Sequence, residues 1–385
     1  MRRFIRALKW MSITLLIIPI GCYLILFLMN LQDSALSTKA MAYLDQVKAE
    51  EEALSQRLED NPYIYALGFY APKDDSPMIL GQERYRLLKQ LGVMELASQT
   101  DSESFIRPDW PVTGCLNQDD FLSECAALLA EPTTLNSTLN DYTWLIERYR
   151  TLLSLGQWQD DTHFNSLSGY LPMQHIATAQ HLYLVDAYLN KVDAASLIAA
   201  IDRDMHFWLQ AAVRVNMLAN KVFAISALKQ NMKLGEVLIG EMRKVGGASV
   251  LPPMWQRTIP AGVLSLERVK RGEWHFLTKM TRHIGADENA EITTKLAEAL
   301  LAPLFQQQDT ANRYAEMLTT DVSMEPCSDF LSLSALKYYA YNPMGKFILC
   351  TGTSSFESYQ ATANELESLR SELISRLEPT LSYLQ

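Results

Sequence analysis

The sequence predicts an all-α fold, with an N-terminal transmembrane helix followed by a multi-helix extracytoplasmic domain built as a bundle or from tetratricopeptide-like hairpins. Three observations predict it. Glycine (16) and proline (15) are sparse in 385 residues, and Leu, Ala, Met, Gln, Glu and Lys dominate the long segments. Apolar residues recur at helical spacing, with few stretches of sustained alternation, which argues against a sizeable sheet. Near the N-terminus, Trp10 to Met29 carries no charged side chain, about the length needed to cross a hydrocarbon core as a helix.

The opening MRRFIRALK holds Arg2, Arg3, Arg6 and Lys9 and no acidic residue. Basic flanks stay on the cytoplasmic side. Residues 1–9 are therefore expected as a cytoplasmic tail, 10–29 as a single-pass anchor in a bacterial inner membrane, and the rest as periplasmic. Within this stretch stands IIPIGCYLILFLMN, residues 17–30. As a lipoprotein signal it would make Cys22 the acylated first residue of the mature chain. Gly21 suits that motif and Pro19 does not. Cleavage would also leave Tyr23 to Met29 exposed. The pattern favours the intact span, with Cys22 a small apolar residue inside it and Pro19 at most a kink. The lipid bilayer is the expected partner through residues 10–29.

Removing the four N-terminal charges from the formal −10 leaves −14 on residues 31–385. Such an acidic domain is no general nucleic-acid binder. It leaves an envelope protein or an anionic ligand as the expected partner. In an oxidising compartment, Cys115, Cys125, Cys327 and Cys350 imply two disulfides, with three connectivities open. Sequence neighbours are the expected pairs, Cys115 with Cys125 and Cys327 with Cys350. In the chain-entropy model each contributes about 3 kcal/mol. The alternative is buried free thiols. Zinc lacks its usual C-x-x-C spacing here.

Along the chain, residues 30–60 read as a juxtamembrane segment, with one exposed helix from Ser34 to Glu59. Leu44, Val47, Leu54 and Leu58 form its thin apolar stripe, opposite Glu50, Glu51 and Glu52. Asn61-Pro62 stops it and offers a fresh N-cap, with proline in the first turn. Residues 61–385 form the helical periplasmic domain. NPYIYALGFYAPKDDSP opens it as two helical turns ending before Pro72. Its Tyr63, Tyr65, Phe69 and Tyr70 read as a seat on the domain rather than a peptide-docking patch.

Residues 100–135 are the least regular. Helices are then expected over 139–155, 172–190, 194–213, 217–230, 234–245, 261–271, 273–284, 290–305 and 357–377. The hairpin YLVDAYLNKVDAASLIAAIDRDMHFW has tetratricopeptide-like spacing, but no 34-residue period recurs.

Three stretches, NPYIYALGFYAP, FWLQAAVRVNMLANKVFA and YNPMGKFIL, occur in that order. Together they resemble a family of bacterial proteins of unassigned activity that carry an N-terminal inner-membrane anchor. The resemblance covers most of 61–377. It implies an envelope-facing helical protein and transfers no functional residue.

Signatures of chemistry are scarce. No nucleophile elbow, Walker loop, dinucleotide fingerprint or H-E-x-x-H occurs, and KVGGASV (244–250) reads as a helix C-cap. Asp202 and His206 stand one helical turn apart, as an acid–base pair or simply a polar helix face. Arg268, Lys270, Arg271, Lys279 and Arg282, with Trp274 among them, make a basic segment over 268–283, either an anionic-ligand site or a solvated face. The six histidines show no metal spacing. Neither cofactor nor metal is expected. The expected role is structural or interactive in the cell envelope. The alternatives are an envelope hydrolase with carboxylates from separate helices and a binding module for an anionic ligand.

Overall fold

The structure is a computed structural model that describes residues 2–90, 111–116, 121–160, 171–190, 194–244, 250–281, 292–319, 332–352 and 356–378. Every regular element among them is helical, so the all-α expectation holds. The described residues divide into two compact units, neither continuous in sequence: Met1–Lys48 with Trp274–Ser354, and Ala49–Glu273 with Ser355–Gln385.

The smaller unit begins with α1 (Arg2–Met29), which is 28 residues long. From 17 to 29 its apolar side chains stand largely exposed, among them Ile17 (61%), Ile25 (60%) and Leu28 (63%). No helix is long and apolar enough over its described residues to cross a membrane. Within α1 the side chains of 2–9, 11–13 and 16 lie outside the described residues, so its longest uninterrupted run is 17–29.

The expected helix from Ser34 forms only over α2 (Thr38–Ser55). The stretch before it is engaged elsewhere, through the Asp33 carboxylate and the Ser37 backbone. Asp33 accepts from the N–H groups of Gln308 (2.7 Å) and Asp309 (3.1 Å), and the Ser37 N–H donates to Asn312 Oδ1 at 2.7 Å.

In the larger unit, α3 (Pro62–Leu67) starts as expected, with Asn61 Oδ1 accepting from the Tyr63 N–H and proline at the first position. It packs on α4 (Pro77–Gln90), which the sequence reading missed. The contact needs glycine on both sides: a Cβ on Gly68 would lie 2.0 Å from the Pro77 carbonyl oxygen, and one on Gly81 1.9 Å from that of Ile64. Tyr63, Tyr65, Phe69 and Tyr70 are all buried. Next come α5 (Pro111–Cys115) and α6 (Phe121–Leu129), joined by a disulfide between Cys115 and Cys125 with Cα atoms 5.2 Å apart.

The helix expected over 139–155 is two, α7 (Pro132–Asp141) and α8 (Thr143–Ser154), parted at Tyr142. Then α9 (Met173–Leu189) and α10 (Ala194–Arg214) fall almost where expected. The two helices expected over 217–245 are one, α11 (Leu218–Lys244), because Asn231-Met232-Lys233 contains no breaker and is buried on two of its three residues. This helix carries the core, packing against α6, α9, α10 and α18 (Glu357–Leu377).

Residues 261–284 divide earlier than expected, into α12 (Ala261–Leu264) and α13 (Glu267–Met280), where Ser265 Oγ caps the Glu267 N–H at 3.3 Å. The division between the two units falls inside α2 and α13. The smaller unit resumes with α14 (Ile292–Leu301), a 3₁₀ turn at Ala302–Leu304, α15 (Gln307–Met317), α16 (Leu333–Tyr338) and α17 (Pro343–Gly352). Its polar hub is Asn342, held at φ 51°. The Asn342 amide donates to Asp309 and Thr310 at 2.8 and 2.9 Å, while its oxygen accepts from the N–H groups of Gln306 and Gly345.

Cys350 is disulfide-bonded, and its expected partner Cys327 lies outside the described residues. Cys22 is a free thiol. The C-cap expected at Gly246 and the connection at 191–193 also fall outside the described residues.

Candidate functional site

In the larger unit, α10 turns one face inward and one outward. Phe207, Trp208, Ala211 and Ala212 are buried, while His206, Gln210 and Val213 are exposed and Arg214 half-exposed. The outward polar residues His206, Gln210 and Arg214 recur every fourth position and so stack along one side of the helix. They border a groove of about 410 Å³, floored by Leu209 and Val213 and closed on the far side by Met254, Arg257, Thr258 and Pro260. Gln157 completes the lining. This volume suits a small molecule or a peptide end.

The far wall is an irregular segment, yet it is held from several directions. The Met254 N–H donates to Asp202 Oδ1 at 2.6 Å and the Ile259 N–H to Glu367 Oε2 at 2.9 Å. Arg370 Nη1 donates to the Trp255 carbonyl at 2.8 Å. Trp255 itself is fully buried, and its indole N–H donates to Asn231 Oδ1 at 2.9 Å. Gly235 makes room for that ring, since a Cβ there would approach it to 2.7 Å. A wall fixed by side chains of three helices is preorganised for binding.

The helix corner below the groove is equally determined. Asp160 accepts from the Asn216 N–H (2.7 Å) and Asn220 Nδ2 (2.9 Å), and Glu273 accepts from the Leu218 N–H at 2.7 Å. Two carboxylates thus cap α11 from distant sequence. Burial pushes the Asp160 carboxyl up to about 6, against the lowering effect of those hydrogen bonds. Lys221 Nζ donates to the Ala212 carbonyl at the end of α10 (2.6 Å), and burial lowers it to about 8.

Deeper in the core, Asp204 accepts from Tyr149 Oη, Gln180 Nε2 (2.7 Å) and Asn231 Nδ2 (2.8 Å), and burial raises it to about 6. With Asp204 wholly buried, this network fixes the mutual register of α8 to α11 and offers nothing to a ligand.

The residues singled out from sequence are distributed as follows. Asp202 and His206 do not pair. Asp202 holds the Met254 backbone, and His206 Nε2 receives the Gln210 amide at 2.8 Å. Arg268 and Arg271 converge on one carboxylate, Glu50, at 3.1 and 2.6 Å. Lys270 lies 3.6 Å from Glu267. Trp274 is buried and donates to the Ala311 carbonyl at 2.8 Å. Lys279 sits on α13, half-buried. Arg282, His163 and His283 lie outside the described residues. Among the described residues no grouping of His, Cys, Asp and Glu is placed to hold a metal ion.

What the sequence reading missed is the pair Arg214 and Arg257. Neither guanidinium has an ion-pair or hydrogen-bond partner among the described residues. Arg214 is near enough to lower the Arg268 guanidinium, after burial and Arg271. Among the described residues no carboxylate lines the groove. The signal available in the sequence was the His206-Gln210-Arg214 stripe. Arg257 has none, since only the fold brings it opposite. No protein-family model, curated protein or solved structure matches the chain, so the resemblance rests on its three motifs alone.

Proposed function

We propose that the chain is a membrane-anchored envelope protein whose outer part recognises an anionic group, such as a carboxylate or phosphate, in the groove between α10 and the 254–260 segment. One observation carries this reading. Among the described residues two guanidiniums without partners, Arg214 and Arg257, line a groove that contains no carboxylate, within a chain of net charge −10. Charge-assisted, forked hydrogen bonds from arginine match carboxylate and phosphate geometry. His206, Gln210 and Thr258 add polar contacts, and Leu209 and Val213 supply apolar area.

The hydrolase alternative has less support. Asp202 is committed to the Met254 backbone, and among the described residues the groove lining offers no carboxylate to act as acid or base. The basic segment, read from sequence as either an anionic-ligand site or a solvated face, is neutralised in part by Glu50.

The anchor reading rests on α1. A helix with Trp10 (68%), Ile18 (58%), Leu24 (52%) and Ile25 (60%) all exposed would be unstable in water and is at home in hydrocarbon. The basic residues before Trp10 support a cytoplasmic N-terminus, with the bulk of the chain in the periplasm.

Two experiments test the whole. A C-terminal fusion to alkaline phosphatase should be active, and labelled palmitate should not attach at Cys22. Attachment abolished by Cys22→Ala would make the protein a lipoprotein. A thermal-shift screen of the full chain in detergent against inorganic phosphate and carboxylate-bearing peptidoglycan fragments should find a stabilising anion. No response beyond that of Arg214→Gln with Arg257→Gln would remove the binding reading.

A further inference from the structure

The helix α14 buries none of its residues. Ile292 (86%), Leu296 (62%) and Leu300 (47%) stand exposed at intervals of four, one face of the helix, with Leu301 (42%) adding to the apolar exposure. Thr294 and Glu298 lie on the opposite side, and Lys295 flanks the apolar stripe. A ten-residue helix is too short to persist in water on its own propensity, so this face calls for an apolar partner.

The partner is indicated by what α14 touches. Tyr23 Oη donates to the Leu300 carbonyl at 3.0 Å, and α1 packs on the 3₁₀ turn Ala302–Leu304 that follows. The hydroxyl thereby satisfies a carbonyl left open by the end of α14, which is a requirement for backbone held in lipid. Tyr23 precedes the end of α1 at Met29 by six residues, or about 9 Å at 1.5 Å per residue. That depth falls within the roughly 5–10 Å to which interfacial amphipathic helices sink. Tyr341, whose Oη donates to the Gln32 carbonyl at 3.1 Å, lies beyond the end of α1, where aromatic belts of membrane proteins sit.

We infer that α14 is an interfacial membrane helix, its Ile292–Leu296–Leu300 face sunk into the periplasmic leaflet of the bilayer that α1 crosses. The inference rests on the anchor reading and extends it. The protein holds the membrane at two places, and the segment after the span is fixed against the lipid surface. Continuity with the exposed apolar side chains of α1 selects lipid as the occupant.

Site-directed nitroxides on the full chain in liposomes test this. Leu296→Cys and Leu15→Cys, each in a Cys22→Ala background without reductant, report α14 and α1 separately. Both side chains are well exposed (62% and 70%), so neither change disturbs packing. The expected result is oxygen accessibility exceeding that of a water-soluble nickel chelate at both sites, with Leu296 about 5–10 Å deep and Leu15 deeper. Nickel accessibility typical of water at Leu296, with Leu15 embedded, overturns the inference and leaves the anchor. Water-like behaviour at both ends the anchor reading and the inference with it. Strong spin–spin broadening at Leu296 without oxygen accessibility would show that a second copy covers the face, and also overturns the inference.

Discussion

The Asn342 backbone N–H donates to the Asn30 side-chain oxygen at 2.6 Å, joining the turn before α17 to the residue that follows α1. Asn30 Nδ2 returns a bond to the Ala340 carbonyl at 3.0 Å, and Gln306 Nε2 donates to the Asn30 carbonyl at 2.6 Å. The YNPMGKFIL stretch is thus the clamp that receives the chain as it leaves α1. Asn342 suits the position twice, by tolerating a positive φ of 51° and by using both ends of its amide.

Asn342→Gly keeps the backbone freedom and loses the side-chain bonds. It should destabilise the chain by about 2–3 kcal/mol, through buried groups left unpaired. Asn342→Ala should cost about 1 kcal/mol more, for the strain of a Cβ at positive φ. Denaturant unfolding followed by circular dichroism measures both. Equal losses would show that φ contributes nothing.

Glu50 stands between Arg268 and Arg271, all three partly buried. Arg271→Glu puts like charges together and should cost about 2 kcal/mol or more, beyond the range of exposed pairs. Combining it with Glu50→Arg should recover a good part of that loss. A double-mutant cycle with no coupling would show that these side chains are merely solvated.

Asp160 predicts an unusual pH dependence. Its folded value, about 6, lies above the usual 3.8 because the carboxyl is buried. Between about pH 4 and 6 the unfolded chain has released this proton and the folded chain still holds it. Its contribution to stability therefore falls as pH rises through that window and is constant above it. The full difference is worth up to about 3 kcal/mol. Asp160→Asn retains a capping oxygen for the Asn216 N–H and should flatten the wild-type profile between pH 4 and 6. Parallel profiles for the two proteins would contradict the assignment.

The Cys115–Cys125 bond closes a short loop between two buried residues. Replacing both by Ser should cost about 3 kcal/mol in the chain-entropy model, with some addition from burying hydroxyls. Peptide mapping without reductant should recover the linked pair. Four alkylatable thiols at 115, 125, 327 and 350 in freshly isolated protein would remove the oxidising compartment.

The legible parts of the sequence were those with local punctuation. Asn61-Pro62 announced α3, and the termini of α9, α10 and α18 followed from period and flanking polar residues. Local signals misled where tertiary contacts overrode them. Residues 33–37 leave the helical pattern because α15 engages the Asp33 carboxylate and the Ser37 N–H, and α11 runs through a polar stretch that the core satisfies from outside. The basic segment could not be judged alone, since the carboxylate opposing Arg271 lies 221 residues away. The groove was half visible. Its α10 stripe includes His206, but Asp202 drew attention as a partner when its task is holding the opposite wall. Polar residues in all three motifs prove to be architectural: Asn61, Asn216 with Lys221, and Asn342 each hold a cap or a corner.

The central claim is that Arg214 and Arg257 bind an anion together. Calorimetric titration of the full chain in detergent with a soluble, carboxylate-bearing peptidoglycan fragment, and separately with inorganic phosphate, measures it directly. Binding of at least one probe is predicted, weakening as salt is raised. Arg214→Gln or Arg257→Gln should each weaken it about 10- to 100-fold, as expected for losing a charged hydrogen bond of roughly 1.5–3 kcal/mol, with melting temperature nearly unchanged. Affinity that survives both substitutions, or no binding of either probe to the intact chain, would contradict the account.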